Sequence, residues 1–282
     1  ALTIYLVLSL SFVHLMFPNA AEIYALLIFW CLGSLAIFLE VNNLALSEFI
    51  ITVGMISIIM IITGVGLAQG EKIFELPLVN TASLLVPLGA VLFSLSGRVA
   101  IPAVVGYFRK NNLDPKGIRP AIITGTMLPA LFYFLFVIGI LGLSSNVSED
   151  AIKGIEGSVN PILMWLLGAL GIISLWSSYI VIGRDLSKSL EYDFAIPKIF
   201  KISIVVFFPL LLYYAGFQSF VALVALAGSI FVGMESILVV AMWRKAQKEP
   251  YTGPVMIRKS YSILQYGIML VFICGVVYEI IK

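Results

Sequence analysis

The amino-acid sequence predicts an all-α polytopic membrane protein. Of its 282 residues, 61% are hydrophobic and only 11% are charged, and its mean hydropathy is +1.09. A soluble domain carries about 25% charged residues. The apolar runs also recur at lengths near the ~17–25 residues that a helix needs to cross a bilayer. A net charge of +2, with the basic residues gathered in short links, gives no indication of a nucleic-acid partner.

Nine apolar segments are predicted to form membrane-spanning helices. The first is short, begins at Ala1 with no basic region before it, and ends before Pro18, so we expect the natural chain to begin further upstream. The fourth is interrupted near its middle. The predicted helices are residues 1–16, 22–39, 46–67, 81–109, 120–143, 161–182, 199–215, 218–243 and 261–281.

The links between these segments carry turn and cap signals. Residues 40–48 are mostly polar and predict a water-facing turn between the second and third helices. Asp114 and Pro115 mark a turn in the basic link before the fifth helix. Ser148 precedes two acidic residues, which predicts the start of a short surface helix. Gly216 predicts a tight turn into the eighth helix.

The fourth segment, residues 81–109, is predicted to be a broken helix. Its apolar run is interrupted by Ser96, Gly97, Arg98 and Pro102. Glycine loosens the backbone, proline removes an amide donor, and an arginine facing lipid costs about 2.5–3.5 kcal/mol or more. We therefore expect the freed backbone groups to face a cavity, as at the substrate and ion sites of transporters.

The distribution of lysine and arginine over the links predicts the orientation of the chain. Residues 109–119 and 184–201 hold four basic residues each, and residues 244–259 hold five, whereas the intervening links hold only Lys72 and Lys153. We therefore expect the three basic links to be cytoplasmic, in a cell membrane that the chain crosses many times.

Three stretches carry a resemblance to a known family. They are VPLGAVLFSLSGRVAIPAV (86–104), RPAIITGTMLPALFYFLFVIGILG (119–142) and ALAGSIFVGMESILVVAMWRKAQK (225–248). In order and spacing they resemble the amino acid permeases of the amino acid/auxin (hydroxy/aromatic amino acid) permease group, within the amino acid–polyamine–organocation superfamily. One departure is Ala103, where related sequences often place an acidic residue.

This resemblance implies a secondary active transporter of amino acids that works by alternating access and symports protons or, as the alternative, sodium. The implied fold is a five-plus-five inverted repeat of the leucine-transporter type. The nine predicted helices correspond to the third to eleventh of the family, so its first two helices are lacking here. The implied protein is not an enzyme and uses no cofactor. Its partners are an amino acid and the lipid bilayer, and its oligomeric state stays open.

By the same resemblance, the substrate is expected to bind where the fourth predicted helix unwinds. The hydroxyl groups of Ser94 and Ser96 and the backbone amides near Gly97 are candidates for holding its amino or carboxylate group. The serines alternatively bond back to helix carbonyls, as they often do in membrane spans. Arg98 is expected to pair with the substrate carboxylate, to replace an ion as a fixed charge, to form a salt bridge with another helix, or to reach the interface.

Two places are candidates for ion coupling. Glu235 is an isolated carboxylate between apolar residues of the eighth predicted helix, and it must be protonated, hydrated or paired with a cation such as Arg98. Ser174, Ser177 and Ser178 share one face of the sixth predicted helix. By resemblance the last two fall where sodium-coupled members of the wider fold supply hydroxyl ligands, although small residues also serve close packing.

Two other classes of protein compete with transport. One is a non-transporting receptor or assembly protein built on a transporter scaffold. The other is a membrane-embedded enzyme acting on lipids, which would need a cluster of acidic or histidine residues at the membrane face. The sequence has a single histidine, His14, and two cysteines, Cys31 and Cys274, in separate apolar runs, so it predicts no metal site and no disulfide.

Overall fold

The computed structural model describes residues 1–39, 44–68, 85–98, 100–143, 151, 154, 157, 159–192, 194, 196–246 and 262–281, without the side chains of residues 44–48 and 262. Within these ranges every regular element is helical, which confirms the prediction of an all-α fold. Some predicted features lie outside the described residues. They are the link at 40–43, the start of the broken helix at 81–84, the helix predicted from Ser148, and residues 247–259 of the last basic link.

The described residues form eleven α-helices. A π-helical turn, Ala227–Val232, joins the ninth to the tenth, and a 3-10 turn, Pro115–Gly117, precedes the sixth. The helices are α1 (Leu2–Met16), α2 (Glu22–Phe38), α3 (Leu44–Ala68), α4 (Leu88–Ser94), α5 (Ala100–Lys110), α6 (Ile118–Leu143), α7 (Pro161–Tyr192), α8 (Lys198–Tyr214), α9 (Phe220–Leu226), α10 (Gly233–Ala246) and α11 (Ser262–Ile281).

Five of the helical stretches are long and apolar enough to cross a membrane, as a polytopic membrane protein requires. They are Phe49–Ala68, Pro115–Leu143, Pro161–Tyr192, Phe220–Ala246 and Ile263–Ile281. Helices α1 and α2 are equally apolar but shorter, with 15 and 17 residues. Large apolar side chains remain exposed along these helices, which suits contact with lipid rather than with water.

The described helices fall into two units. Unit 1 comprises Ala1–Leu76 and Phe132–Phe220, and α7 is its central helix because α1, α2, α3 and α8 all pack against it. The Tyr179 ring of α7 is fully buried and meets Phe29 of α2 edge to face, with 5.7 Å between ring centroids. Gly33 makes room for this ring, since a methyl group there would lie 2.9 Å from it.

Helix α7 continues to Tyr192, ten residues beyond the predicted end at Ile182. Hydropathy marks where an apolar run ends, but the following residues contain no proline, so the helix continues beyond the apolar run. Arg184 in this extension donates hydrogen bonds to the carbonyl oxygens of Ala36 (3.2 Å), Ile37 (3.1 Å) and Leu39. These carbonyls at the end of α2 have no partner within their own helix, so the guanidinium caps α2.

Unit 2 comprises Pro77–Leu131 and Val221–Lys282, and its closest packing joins α4 to the π-helical turn. The backbones of Gly89 and Gly228 are in contact there. A methyl group at Gly89 would lie 2.7 Å from the carbonyl oxygen of Ala225 and 2.9 Å from its Cα. Small residues at helix crossings in membranes allow this approach of backbones.

We predict that Gly89→Ala destabilises unit 2 by about 1–3 kcal/mol, because backbone atoms cannot move aside as a flexible side chain does. The matched control is Gly106→Ala in α5, where nothing lies within 4 Å of the added methyl group, and which should be neutral or gain about 0.5–1 kcal/mol from helix propensity. Thermal unfolding in detergent micelles measures both variants. Equal melting temperatures for the two would contradict the close packing.

Candidate functional site

The candidate site begins at the break between α4 and α5. Helix α4 ends at Ser94, and α5 begins at Ala100. Pro102 explains why one continuous helix does not form. Its missing N–H would be needed to bond the carbonyl of Arg98, whereas at the third position of a new helix no such bond is made. A methyl group at Gly97 would meet nothing within 4 Å, so Pro102 rather than this glycine accounts for the break.

Backbone amides at the break are engaged locally. The N–H of Ser96 donates to the Phe93 carbonyl at 3.2 Å, and that of Gly97 donates to the Leu95 carbonyl at 2.9 Å. The Ser94 hydroxyl donates to the Val91 carbonyl at 3.1 Å, as serines in membrane spans often do. In this conformation the Ser96 and Gly97 amides are thus bonded within their own turn, and substrate binding at these residues stays a prediction.

Arg98 forms an ion pair with Glu235 of α10. The Glu235 side chain lies inside the apolar stretch Phe220–Ala246 and is 28% exposed, while that of Arg98 is 57% exposed. Each charge alone would be costly at membrane depth, and the pair neutralises both. Among the alternatives predicted for Arg98, the structure shows the salt bridge to another helix.

The π-helical turn Ala227–Val232 positions Glu235. A π-helical turn holds one residue more than an α-helical turn, so it rotates every following side chain about the helix axis, and such turns are frequent at functional sites. Ser229 in this turn is buried beside Gly89. Sequence reasoning missed the turn, although the small residues Ala227, Gly228 and Ser229 are the signal for close helix packing.

The ion pair keeps binding capacity for a small charged ligand. A guanidinium has five N–H donors and a carboxylate has about four acceptor positions, so one mutual contact leaves most of them unused. More than half of the Arg98 side chain is exposed, and the Ser96 hydroxyl lies two residues away at the break. The arrangement can bind a carboxylate at Arg98 and a cationic group at Glu235, which together are the two ends of a zwitterion.

The remaining predicted site residues lie in the other unit. Ser174, Ser177 and Ser178 are half-buried on α7 in unit 1, whereas Ser94, Ser96, Gly97, Arg98 and Glu235 belong to unit 2. The structure thus brings Arg98 and Glu235 together within one unit and places the three serines on a different set of helices.

Unit 1 also contains an apolar cavity of about 610 Å³ between α1, α2 and α7. Among the residues that line it are Phe17, Tyr24, Ile28 and Trp176. None of the predicted site residues is among its described lining residues. Its apolar lining suits a hydrocarbon chain better than a zwitterion.

Unit 2 contains an ion pair at a helix break, with Glu235 inside an apolar stretch long enough to cross a membrane. Membrane proteins use sites of this kind for polar solutes or ions. Comparison with known proteins identifies no relative: no protein-family model matches the chain, and no curated protein or solved structure matches it either.

A double-mutant cycle tests the ion pair. We expect Arg98→Gln and Glu235→Gln each to destabilise the protein by about 1–3 kcal/mol, because each leaves one charge unpaired in an apolar span. The 57% exposure of Arg98 keeps the effect below that of a fully buried pair. The double variant should lose less free energy of unfolding than the sum of the two single variants, as measured by unfolding in mixed detergent micelles.

The matched control is the cycle of Lys201→Gln and Glu191→Gln. Those side chains are ion-paired at 2.5 Å, with 13% of Lys201 and 52% of Glu191 exposed, and Glu191 lies in the polar extension of α7. A pair that water can reach outside an apolar stretch contributes about 0–1 kcal/mol. A coupling energy for Arg98 and Glu235 no larger than that of the control pair would mean that the two charges do not depend on each other.

Proposed function

We propose that this protein is a secondary active transporter of amino acids that symports protons by alternating access. The observation that carries the proposal is the Arg98–Glu235 ion pair at the interruption between α4 and α5. Charged side chains in membrane spans are costly and mark substrate or proton pathways by default. A broken helix supplies half-helix ends and unwound backbone of the kind that transporters place around their substrates.

The zwitterionic form of an amino acid is the substrate that suits this pair. Its carboxylate replaces Glu235 as the partner of Arg98, and its ammonium group can donate a hydrogen bond to the acceptor oxygen that a protonated Glu235 carboxyl group keeps. The resemblance of residues 86–104, 119–142 and 225–248 to amino acid permeases supports the same substrate class. The five-plus-five inverted-repeat fold, the cell membrane, and the cytoplasmic side for residues 109–119, 184–201 and 244–259 belong to this proposal.

Glu235 is proposed as the proton-coupling group. When it is ionised, the ion pair holds Arg98 against α10. When it is protonated, the attraction is lost and Arg98 is released for the substrate carboxylate, so proton binding and substrate binding favour the same state. Sodium coupling through Ser174, Ser177 and Ser178 is the alternative, and it assigns the ion to unit 1 instead.

Glu235→Gln separates coupling from binding. In proteoliposomes, we expect this variant to keep exchange of labelled amino acids across the membrane but to lose accumulation driven by an inward proton gradient, because glutamine carries no titratable proton. Arg98→Ala should lose exchange and accumulation together, since the carboxylate partner is gone. Uptake of a mixture of labelled amino acids is measured with and without the gradient.

Glu191→Gln is the matched control, because it removes a carboxylate that is ion-paired to Lys201 at the end of α7. It should change neither exchange nor accumulation. Gradient-driven accumulation by Glu235→Gln at the normal level would remove Glu235 from the coupling step. Normal exchange by Arg98→Ala would remove Arg98 from the substrate site. Dependence on a sodium gradient alone would favour the serine cluster of α7.

A further inference from the structure

The turn between α5 and α6 has a fixed geometry. Asn112 adopts a left-handed conformation with φ of 50° just beyond the end of α5. Its N–H donates to the Arg109 carbonyl at 3.3 Å, and the N–H of Leu113 donates to the Phe108 carbonyl at 3.0 Å. This pair of bonds is a Schellman motif with asparagine at the left-handed position. The turn is therefore closed by its own backbone hydrogen bonds.

Four cations project from this turn. Arg109 and Lys110 belong to the last turn of α5, and Lys116 and Arg119 flank the start of α6. All four are exposed. None of them forms an ion pair with another residue of the described ranges.

The one acidic residue of the turn is already engaged. A carboxylate oxygen of Asp114 accepts the backbone N–H of Lys116 at 2.9 Å and so caps the 3-10 turn that leads into α6. With four basic residues and one acidic residue, residues 109–119 carry a net charge of +3. This basic turn thus carries an excess of positive charge, and its backbone conformation is fixed by hydrogen bonds.

The surroundings of the basic turn are those of a membrane surface. The apolar stretch Pro115–Leu143, long enough to cross a bilayer, begins within it. No residue of α5 is buried, and the side chain of Tyr107, near the end of this helix, is 62% exposed. Tyrosines are enriched at the level of lipid headgroups, where the ring meets apolar chains and the hydroxyl meets water.

We propose that the basic turn, formed by Arg109, Lys110, Lys116 and Arg119, binds the headgroups of anionic phospholipids. Arginine and lysine bind phosphate oxygens by charge-assisted hydrogen bonds, and basic clusters next to a membrane helix attract anionic lipid. The closed backbone keeps the four cations within one short turn, which lowers the entropic cost of binding a headgroup with several of them. This surface is independent of the charged site in unit 2 and of transport.

Native mass spectrometry of the purified chain in nonionic micelles tests the proposal, with phosphatidylglycerol and phosphatidylcholine as the lipids. Each basic residue near an anionic surface contributes about fivefold to binding. We therefore expect the wild-type chain to prefer phosphatidylglycerol, and K110Q/K116Q/R119Q to lose that preference by at least about tenfold. The matched control K188Q/K198Q/K245Q removes three exposed cations elsewhere, and it should keep the preference.

The following three outcomes would overturn the proposal. Equal binding of the two lipids by the wild-type chain would show that the turn does not select anionic headgroups. An equal loss in both triple variants would assign the preference to overall charge rather than to this turn. Displacement of phosphatidylglycerol by inorganic phosphate at the same concentration would identify a free anion, not a lipid, as the ligand.

The variant R109K/K116R keeps the charge and serves as a folding control. It should bind phosphatidylglycerol as the wild type does, which confirms that substituted turns fold.

Discussion

Neutralisation of charge inside the membrane is the constraint on which the arrangement of unit 2 depends. An arginine or a glutamate within an apolar span costs several kcal/mol unless it meets an opposite charge or water. Arg98 and Glu235 meet each other because α4 ends at Ser94 and because a π-helical turn precedes α10. The close contact of Gly89 with Gly228 holds these two irregular regions side by side. Each irregularity would destabilise an isolated span, and together they create one neutral pair.

Local hydrogen bonds satisfy several polar groups at the break. The amides of Ser96 and Gly97 are engaged within the turn, and the Ser94 hydroxyl bonds back to its own helix. The side chains of Arg98 and Glu235 are then the groups at the break with unused hydrogen-bonding capacity. A ligand that competes for these two charges acts on the contact that joins the break to α10. This coupling is the physical reason why we propose substrate binding and proton binding at the same place.

Sequence patterns predicted the apolar spans and the position of the break for identifiable reasons. Bilayer thickness sets the length of an apolar run, and Pro102 cannot make the hydrogen bond that a continuous helix needs at its position. The end of α7 was not predictable from hydropathy, because the residues after Ile182 are mostly polar but include no proline to end the helix. The π-helical turn was missed because it depends on packing against Gly89, which is distant in the sequence. The partner of Arg98 stayed one of several alternatives, since only the tertiary structure brings α10 to the break.

Water access to the break tests the central claim most directly. In a variant with Cys31 and Cys274 replaced by alanine, a single cysteine is placed at Gly97 or, as the control, at Leu131, which is 52% exposed within the apolar stretch Pro115–Leu143. A membrane-impermeant thiol reagent is applied to the reconstituted protein from both sides. We predict that the Gly97→Cys variant is labelled and the Leu131→Cys variant is not, because a solute site at the break requires water to reach the ion pair, whereas position 131 is expected to face lipid. Absence of labelling at position 97 would contradict a solute site at the break.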